Sequence, residues 1–241
     1  MNTRKLFVFL LFISIFTTAY SQDKKVAVIT FYVDKRINMD DLGLSQAADL
    51  LKLEEDPNFN LTPILTSFHT QFFEDYAKSF PFQIVPEADI FNSPDYKAYV
   101  PDDRNPADTK RRYTAIEGYK VIEYAEGMLD NKKNLAKLFA QYDGVMFVYI
   151  NFAFEKGFAI NGTGTLKARA YSNIVLVNNK GNRVFNIHEY ATSKKTGTIV
   201  GGIPVMKAEK VLPMCESALT ELMADLQKRI PKIIKKADAK L

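Results

Sequence analysis

Residues 145–154 read VMFVYINFAF, and Asn151 is the one plainly polar residue among them. Successive residues of a strand point to opposite faces of its sheet. Val145, Phe147 and Tyr149 therefore share one face, and Met146, Val148, Ile150, Phe152 and Phe154 share the other. Both faces are apolar. Such a strand has to be covered on both sides, which puts it inside a sheet with helices packed against each face. Residues 142–155 are the expected central strand, and the fold class they point to is α/β.

The rest of the chain supplies the neighbours of that strand. Residues 24–33 (KKVAVITFYV) are apolar on both alternating faces and read as a second buried strand. The polar residues 34–41 read as a loop. Residues 42–53 have helical spacing, with Leu44, Ala47, Ala48 and Leu51 on one side and Asp40 or Asp41 as a cap. Residues 61–80 read as a longer helix. Pro63 suits its first turn, and Leu65, Phe68, Phe72, Phe73 and Tyr76 make an inward stripe. His69 lies beside that stripe and reads as a partly buried structural histidine. Residues 80–90 read as a short strand, and residues 115–128 fit either helix or extended chain. Residues 130–141 read as a helix with Leu135, Leu138 and Phe139 facing inward.

The second half changes pattern. In residues 166–177, Lys167, Arg169, Tyr171 and Asn173 alternate with Leu166, Ala168, Ala170, Ser172, Ile174 and Leu176, so one face is wet. NNKGN at 178–182 is a hairpin turn signal, and residues 183–192 are the returning strand. His188 sits there beside Ile187 and reads as structural. The turn-rich residues 157–165 and the glycine-bearing residues 194–205 read as loops. The last helix, 208–228, carries the stripe Val211, Cys215, Ala218, Leu219, Leu222, Met223 and Leu226. Pro231 marks a kink or an end, and the basic tail from Lys228 to Lys236 suits a helix C-terminus. The expected architecture is a mixed sheet of about five strands flanked by helices, with an antiparallel hairpin at its rim and a C-terminal helix.

Residues 1–21 read as a signal peptide. Arg4 and Lys5 precede an apolar run at 6–16, and Ala19 and Ser21 are small residues before a cut at Gln22. The run is short for a membrane-spanning helix. The expected product is one α/β domain over residues 22–241, exported to the periplasm or the outer surface, with no later stretch able to span a bilayer as a helix. Cys215 is the only cysteine, so no internal disulfide forms and no cysteine at the cut takes a lipid. Within the fold it reads as a small buried apolar residue. The formal charge of +4 includes two leader charges, so nucleic acid is not an expected partner.

The common catalytic patterns are missing. Two histidines with no HExxH or CxxC spacing do not make a zinc site. There is no GxSxG, no GxxxxGK[ST] and no GxGxxG after a strand. The glycines before Lys207 match no phosphate loop. No cofactor or metal is expected. Residues 92–114 stand out instead, as an irregular insertion with three prolines, mixed charge and no clear period. A loop of that length is uncommon unless it works or is disordered. Its Tyr96, Tyr99, Arg104, Arg111, Arg112 and Tyr113 are of the types that dominate binding hot spots. They are the candidate partner-binding residues, with an ordinary solvated insertion as the alternative. On this reading, deleting 95–112 leaves the fold intact.

Three stretches carry a resemblance: KKVAVITFYV at 24–33, AKLFAQYDGVMFVYI at 136–150 and VLVNNKGNRVF at 175–185. With the order of elements, they resemble the periplasmic α/β modules of the penicillin-binding-protein activator lipoproteins and the curli secretion channel lipoprotein. The match spans most of residues 24–236. This chain departs from them in having no N-terminal cysteine to acylate and no evident pair of lipid-facing hairpins. The resemblance implies a non-catalytic envelope module that works by contact with a protein partner, and it passes on no functional residue. The surfaces expected to serve are the 92–114 insertion and the edge of the 164–192 hairpin. Two other classes stay open. An exported hydrolase would bring two acids together near the ends of the 26–33 and 145–154 strands. A small-ligand carrier would enclose an apolar pocket.

Overall fold

The computed structural model describes residues 24–44, 51, 53–124 and 130–234. The signal reading of 1–21, most of the 42–53 helix and the tail beyond Ile234 lie outside those residues. The strands are β1 (Lys25–Asn38), β2 (Gln83–Ile84), β3 (Tyr113–Ala115), β4 (Gly144–Ile160), β5 (Thr163–Asn178), β6 (Arg183–Val200) and β7 (Ile203–Pro204). The α-helices are α1 (Thr62–Gln71), α2 (Glu87–Phe91), α3 (Pro94–Ala98), α4 (Pro106–Arg112), α5 (Asn131–Leu138) and α6 (Ala208–Ile234). A π-helical turn and a 3-10 turn continue α1 to Ser79, which completes the helix expected over 61–80.

The fold is α/β, with one mixed seven-stranded sheet in the order β2-β1-β4-β5-β6-β7 and β3 paired to β1. β1 runs parallel to β4 and β2, while β4, β5, β6 and β7 form an antiparallel meander. The apolar run of β4 is an interior strand, as its two greasy faces require. It is longer than 142–155, because residues 157–165 are not a loop. β4 runs to Ile160, turns on Asn161 and Gly162, and returns as β5. Both turn residues have positive φ, which a two-residue hairpin with matching twist demands.

Three other expectations are corrected. Residues 34–41 are mostly strand, because β1 continues to Asn38. Residues 194–205 are not a connector. β6 continues to Val200, and Gly201 and Gly202, both at positive φ, turn the chain into β7. The insertion at 92–114 is not irregular, since it folds into α3, α4 and β3. The count of about five strands rises to seven for these reasons.

Two cores lie on opposite faces of the sheet. The larger is covered by α1, its continuation and α6. Leu65, Phe68, Phe72, Val211, Ala218, Leu219 and Leu222 meet Val28, Phe31, Val148, Ile150 and Ile174 there. The Tyr76 hydroxyl donates to the Met223 carbonyl at 2.8 Å and ties the two helical layers together. Cys215 is buried in this core, as its place on the stripe implies. The smaller core sets Ala27, Ile29, Val145, Phe147 and Val175 against Tyr96, Leu135 and Phe139. β1 serves both because its successive residues face opposite sides, and a bulge at Ile29 shifts the phase. The register slips between Val28 and Thr30, so Val28 and Phe31 both face the larger core.

Candidate functional site

The expected partner-binding residues do not form one surface. Tyr96 is 1% exposed, and its hydroxyl donates to the Ile29 carbonyl at 2.8 Å and accepts from the Lys120 amide at 2.9 Å. Burial pushes its phenol up to about 12. The Tyr99 hydroxyl donates to Asn131 Oδ1 at 2.7 Å, on the same side of the sheet. Arg111, Arg112 and Tyr113 lie elsewhere, against the far half of β1. Arg112 Nε donates to both Asp34 carboxylate oxygens at 2.9 Å, and its Nη2 makes a further contact to Oδ2. Arg111 binds Asp108 at 2.8 Å and Glu55 at 3.1 Å. Tyr113 pairs with Asp34 in the sheet and sets its ring edge-on to Tyr32, with centroids 5.1 Å apart. Arg104 is exposed. Tyr96 and Arg112 thus hold the segment to the sheet.

The better candidate is a face of the sheet itself. α6 covers one side of β5 and β6, and the larger core continues on that side under β4. On the other side α5 packs only near the Gly144 end, beside Val145 and Phe147. Past that point the register lines up two rows of polar and aromatic side chains. Tyr149 lies opposite Asn173, and Asn173 opposite His188. Asn151 lies opposite Tyr171, and Tyr171 opposite Tyr190. Directly opposed residues on one face of a sheet are in contact range, so each row is a continuous line of contacts, with Asn173 itself buried.

Their contacts fix these side chains in place. Asn173 Nδ2 donates to Asn151 Oδ1 at 3.1 Å, and the Asn173 Oδ1 accepts from His188 Nδ1 at 2.7 Å. That bond sets the tautomer, with the proton on Nδ1. The His188 ring stacks on Tyr171 at 5.5 Å, and Tyr171 meets Tyr190 at 5.7 Å. The Arg169 guanidinium sits 5.0 Å over the Tyr190 ring, donates to the Tyr171 hydroxyl at 3.2 Å and is paired with Glu155. Tyr32 stacks on Tyr149 with planes 6° apart and extends the first row to β1. Burial, with Tyr124 beside it, pushes the Tyr149 phenol up to about 12, so it stays a neutral donor at ordinary pH. Tyr190 is 55% exposed and His188 is exposed, so the platform is open at the β6 side. Beyond β1, a polar cleft of about 170 Å³ is lined by Asp34, Arg36, Asn38, Asp40, Arg112 and Asn151.

The acids at the strand ends are Asp34 and Glu155, and each is occupied by an arginine, Arg112 or Arg169. Burial pushes the Asp34 carboxyl up from its ordinary value, against the pull of the Arg112 hydrogen bonds. His69 Nε2 lies 2.7 Å from Glu87 Oε1 at the edge of the larger core. Among the described residues no group of three or more His, Cys, Asp or Glu is placed to hold a metal ion. A cavity of about 630 Å³ beside β2 is an open groove lined by Phe73, Phe80, Phe82 and Ile84. It is not an enclosed pocket of the kind a small-ligand carrier needs.

Lys167, Arg169, Tyr171 and Asn173 were legible in the sequence as the wet side of a strand. Tyr149, Asn151, His188 and Tyr190 were not grouped with them. The signal was the Asn161-Gly162 dipeptide, which joins β4 to β5 in a tight hairpin and so sets Asn151 opposite Tyr171.

Comparison with protein-family models and with curated proteins finds no match. Among solved structures, the chain is similar to a neuraminyllactose-binding hemagglutinin homolog from Helicobacter pylori. The two share 10% identity at a TM-score of 0.39, over 88% of this chain and 86% of that one. At that level of likeness no role passes from one chain to the other.

Proposed function

We propose that the chain is an exported binding or assembly module of the cell envelope, and that it holds a protein partner on the aromatic and polar face of β4, β5 and β6. One observation carries this reading: two cross-strand rows, Tyr149–Asn173–His188 and Asn151–Tyr171–Tyr190, lie on the sheet face opposite α6. Tyrosine and arginine bring large contact area with few rotatable bonds, and each offers a polar end to satisfy. Here mutual hydrogen bonds and ring contacts hold the side chains already, so little ordering is lost on contact. The leader at residues 1–21 supports export. The resemblance to envelope α/β modules supports a role through protein contact. Relative to the surfaces expected from sequence, the proposed binding face moves from the 92–114 segment and the hairpin edge to the face of the hairpin strands opposite α6.

The test is affinity capture from envelope extract with the processed chain, comparing wild type with a His188→Ala/Tyr190→Ala variant. Both side chains are exposed, so the variant keeps its fold, which circular dichroism checks. The expected result is a stoichiometric protein retained by wild type and lost by the variant. Retention by both proteins would place the contact elsewhere. A folded wild type that captures nothing would end the reading.

A further inference from the structure

The far ends of the two β-turns form a second, different surface. The β4–β5 turn at Asn161-Gly162 and the β6–β7 turn at Gly201-Gly202 lie side by side, joined by a hydrogen bond from the Gly202 amide to the Gly162 carbonyl at 2.8 Å. A bulge between Lys156 and Ala159 reverses the alternation of β4 at this point. Ala159 packs on the larger core, which turns Phe158 and Ile160 to the opposite face. Phe158 is 75% exposed and Ile160 62% exposed. Ile199 is buried, so Val200, its cross-strand partner Ile203, and Val205 lie on the uncovered face as well, and all three are exposed. Thr163, Thr165 and Thr198 fill the strands between them. The result is an uncharged tip with five exposed apolar side chains, where large exposed apolar groups normally mark an interaction surface.

Along the two turn-bearing segments the charge has one sign. Residues 156–168 and 193–207 contain Lys156, Lys167, Lys194, Lys195 and Lys207 and no acid. The nearest acids along the chain are Glu155, which Arg169 holds, and Glu209 in the first turn of α6. Lys194 is bound to Glu221 of α6. An apolar tip behind a lysine collar is complementary to an anionic lipid surface, where apolar side chains enter the headgroup boundary and lysines meet lipid charge. It is a poor match for a second copy of the same tip, because two lysine collars would then face each other.

We propose that this double-turn tip docks the protein on an anionic phospholipid surface, with Phe158 and Ile160 as the inserted residues. No helix of the described residues is long and apolar enough to cross a membrane, and the proposed attachment calls for none. The tip lies beyond the tyrosine rows and leaves them free for the proposed partner.

The experiment is sedimentation with vesicles, using the full chain and the chain from Gln22. Vesicles of phosphatidylcholine with phosphatidylglycerol are compared with phosphatidylcholine alone, at low and raised salt. Wild type should partition to the phosphatidylglycerol vesicles, and less so as salt rises. A Phe158→Ser/Ile160→Ser variant should lose more than about tenfold in partitioning. Each of Lys156→Glu and Lys195→Glu should lose about fivefold or more, at about 1 kcal/mol per lysine. A chain from Gln22 that ignores phosphatidylglycerol vesicles would overturn the proposal. So would binding that is equal for wild type and all variants, or a dimer in solution that the serine variant dissociates.

Discussion

At the residue scale, the placement of single polar groups decides what is structural and what is available. His69 is the clearest case. It packs edge-on to Phe31 at 4.9 Å and holds Glu87 through Nε2. Burial alone would raise the Glu87 carboxyl, but the hydrogen bond with His69, with the Tyr119 hydroxyl nearby, outweighs it, and the net shift is downward. A carboxyl held low in the folded state contributes stability that is present above its unfolded pKa and is lost as pH falls through its folded one. Glu87→Gln should therefore lower Tm at neutral pH, and the gap to wild type should close as pH drops below about 4.3. A gap that stays constant down to pH about 3 would show that Glu87 acts through packing rather than charge. Asp34 and Arg112 set a similar limit on function. The arginine that sequence marks as a binding residue is spent on a carboxylate 78 residues away, so it anchors its own segment.

At the element scale, bulges do what alternation by itself does not. The β4 bulge at Lys156 to Ala159 depends on Gly164 across the hairpin. A Cβ at Gly164 would lie 2.2 Å from the Phe158 carbonyl oxygen and 2.5 Å from Ala159 Cα. Those are backbone atoms, and no side-chain rotation relieves them. Gly164→Ala should cost about 1–3 kcal/mol, read as a lowered denaturant midpoint. An unchanged midpoint would mean that the bulge relaxes freely. The 92–114 segment also behaves as an integral element. Deleting 95–112 removes Tyr96 from the smaller core and leaves Asp34 buried without Arg112. Loss of the pair alone should cost about 3 kcal/mol. The deletion variant should fail to give a cooperative unfolding transition, whereas an intact transition would restore the view of the segment as an appendage.

At the scale of the whole molecule, one sheet carries two cores and two open surfaces. β1 and β4 contribute to both cores, so helices on opposite faces stabilise the same strands. Leu222→Ala removes a fully buried side chain of α6 and should cost about 2–5 kcal/mol. Circular dichroism and tyrosine fluorescence, which samples the opposite face as well, should shift to a lower denaturant midpoint together. Separate transitions would show that the α6 layer unfolds on its own. The same arrangement separates two tasks in space. The tyrosine rows sit mid-strand on a rigid platform, and the apolar tip stands at the strand ends, linked to the rows by continuous β4, β5 and β6.

Local pattern determined a good part of this protein. The double-faced apolarity of 145–154 placed β4 inside the sheet. Three- and four-residue spacing found α1, α5 and α6 with their buried stripes, and NNKGN found the β5–β6 turn. Those signals are local, because strand and helix periods are set by backbone geometry alone. Tertiary structure decided the rest. Alternation says that Lys167, Arg169, Tyr171 and Asn173 share a face, but not which face of β4 and β6 joins theirs. That depended on a hairpin register set at Asn161-Gly162 and on where α5 and α6 came to rest. Likewise, Phe158 and Ile160 are exposed because a bulge reverses the strand just before them, and Arg112 is structural because the fold carries it to Asp34. Contacts between residues far apart in the chain are not written in the period of either segment.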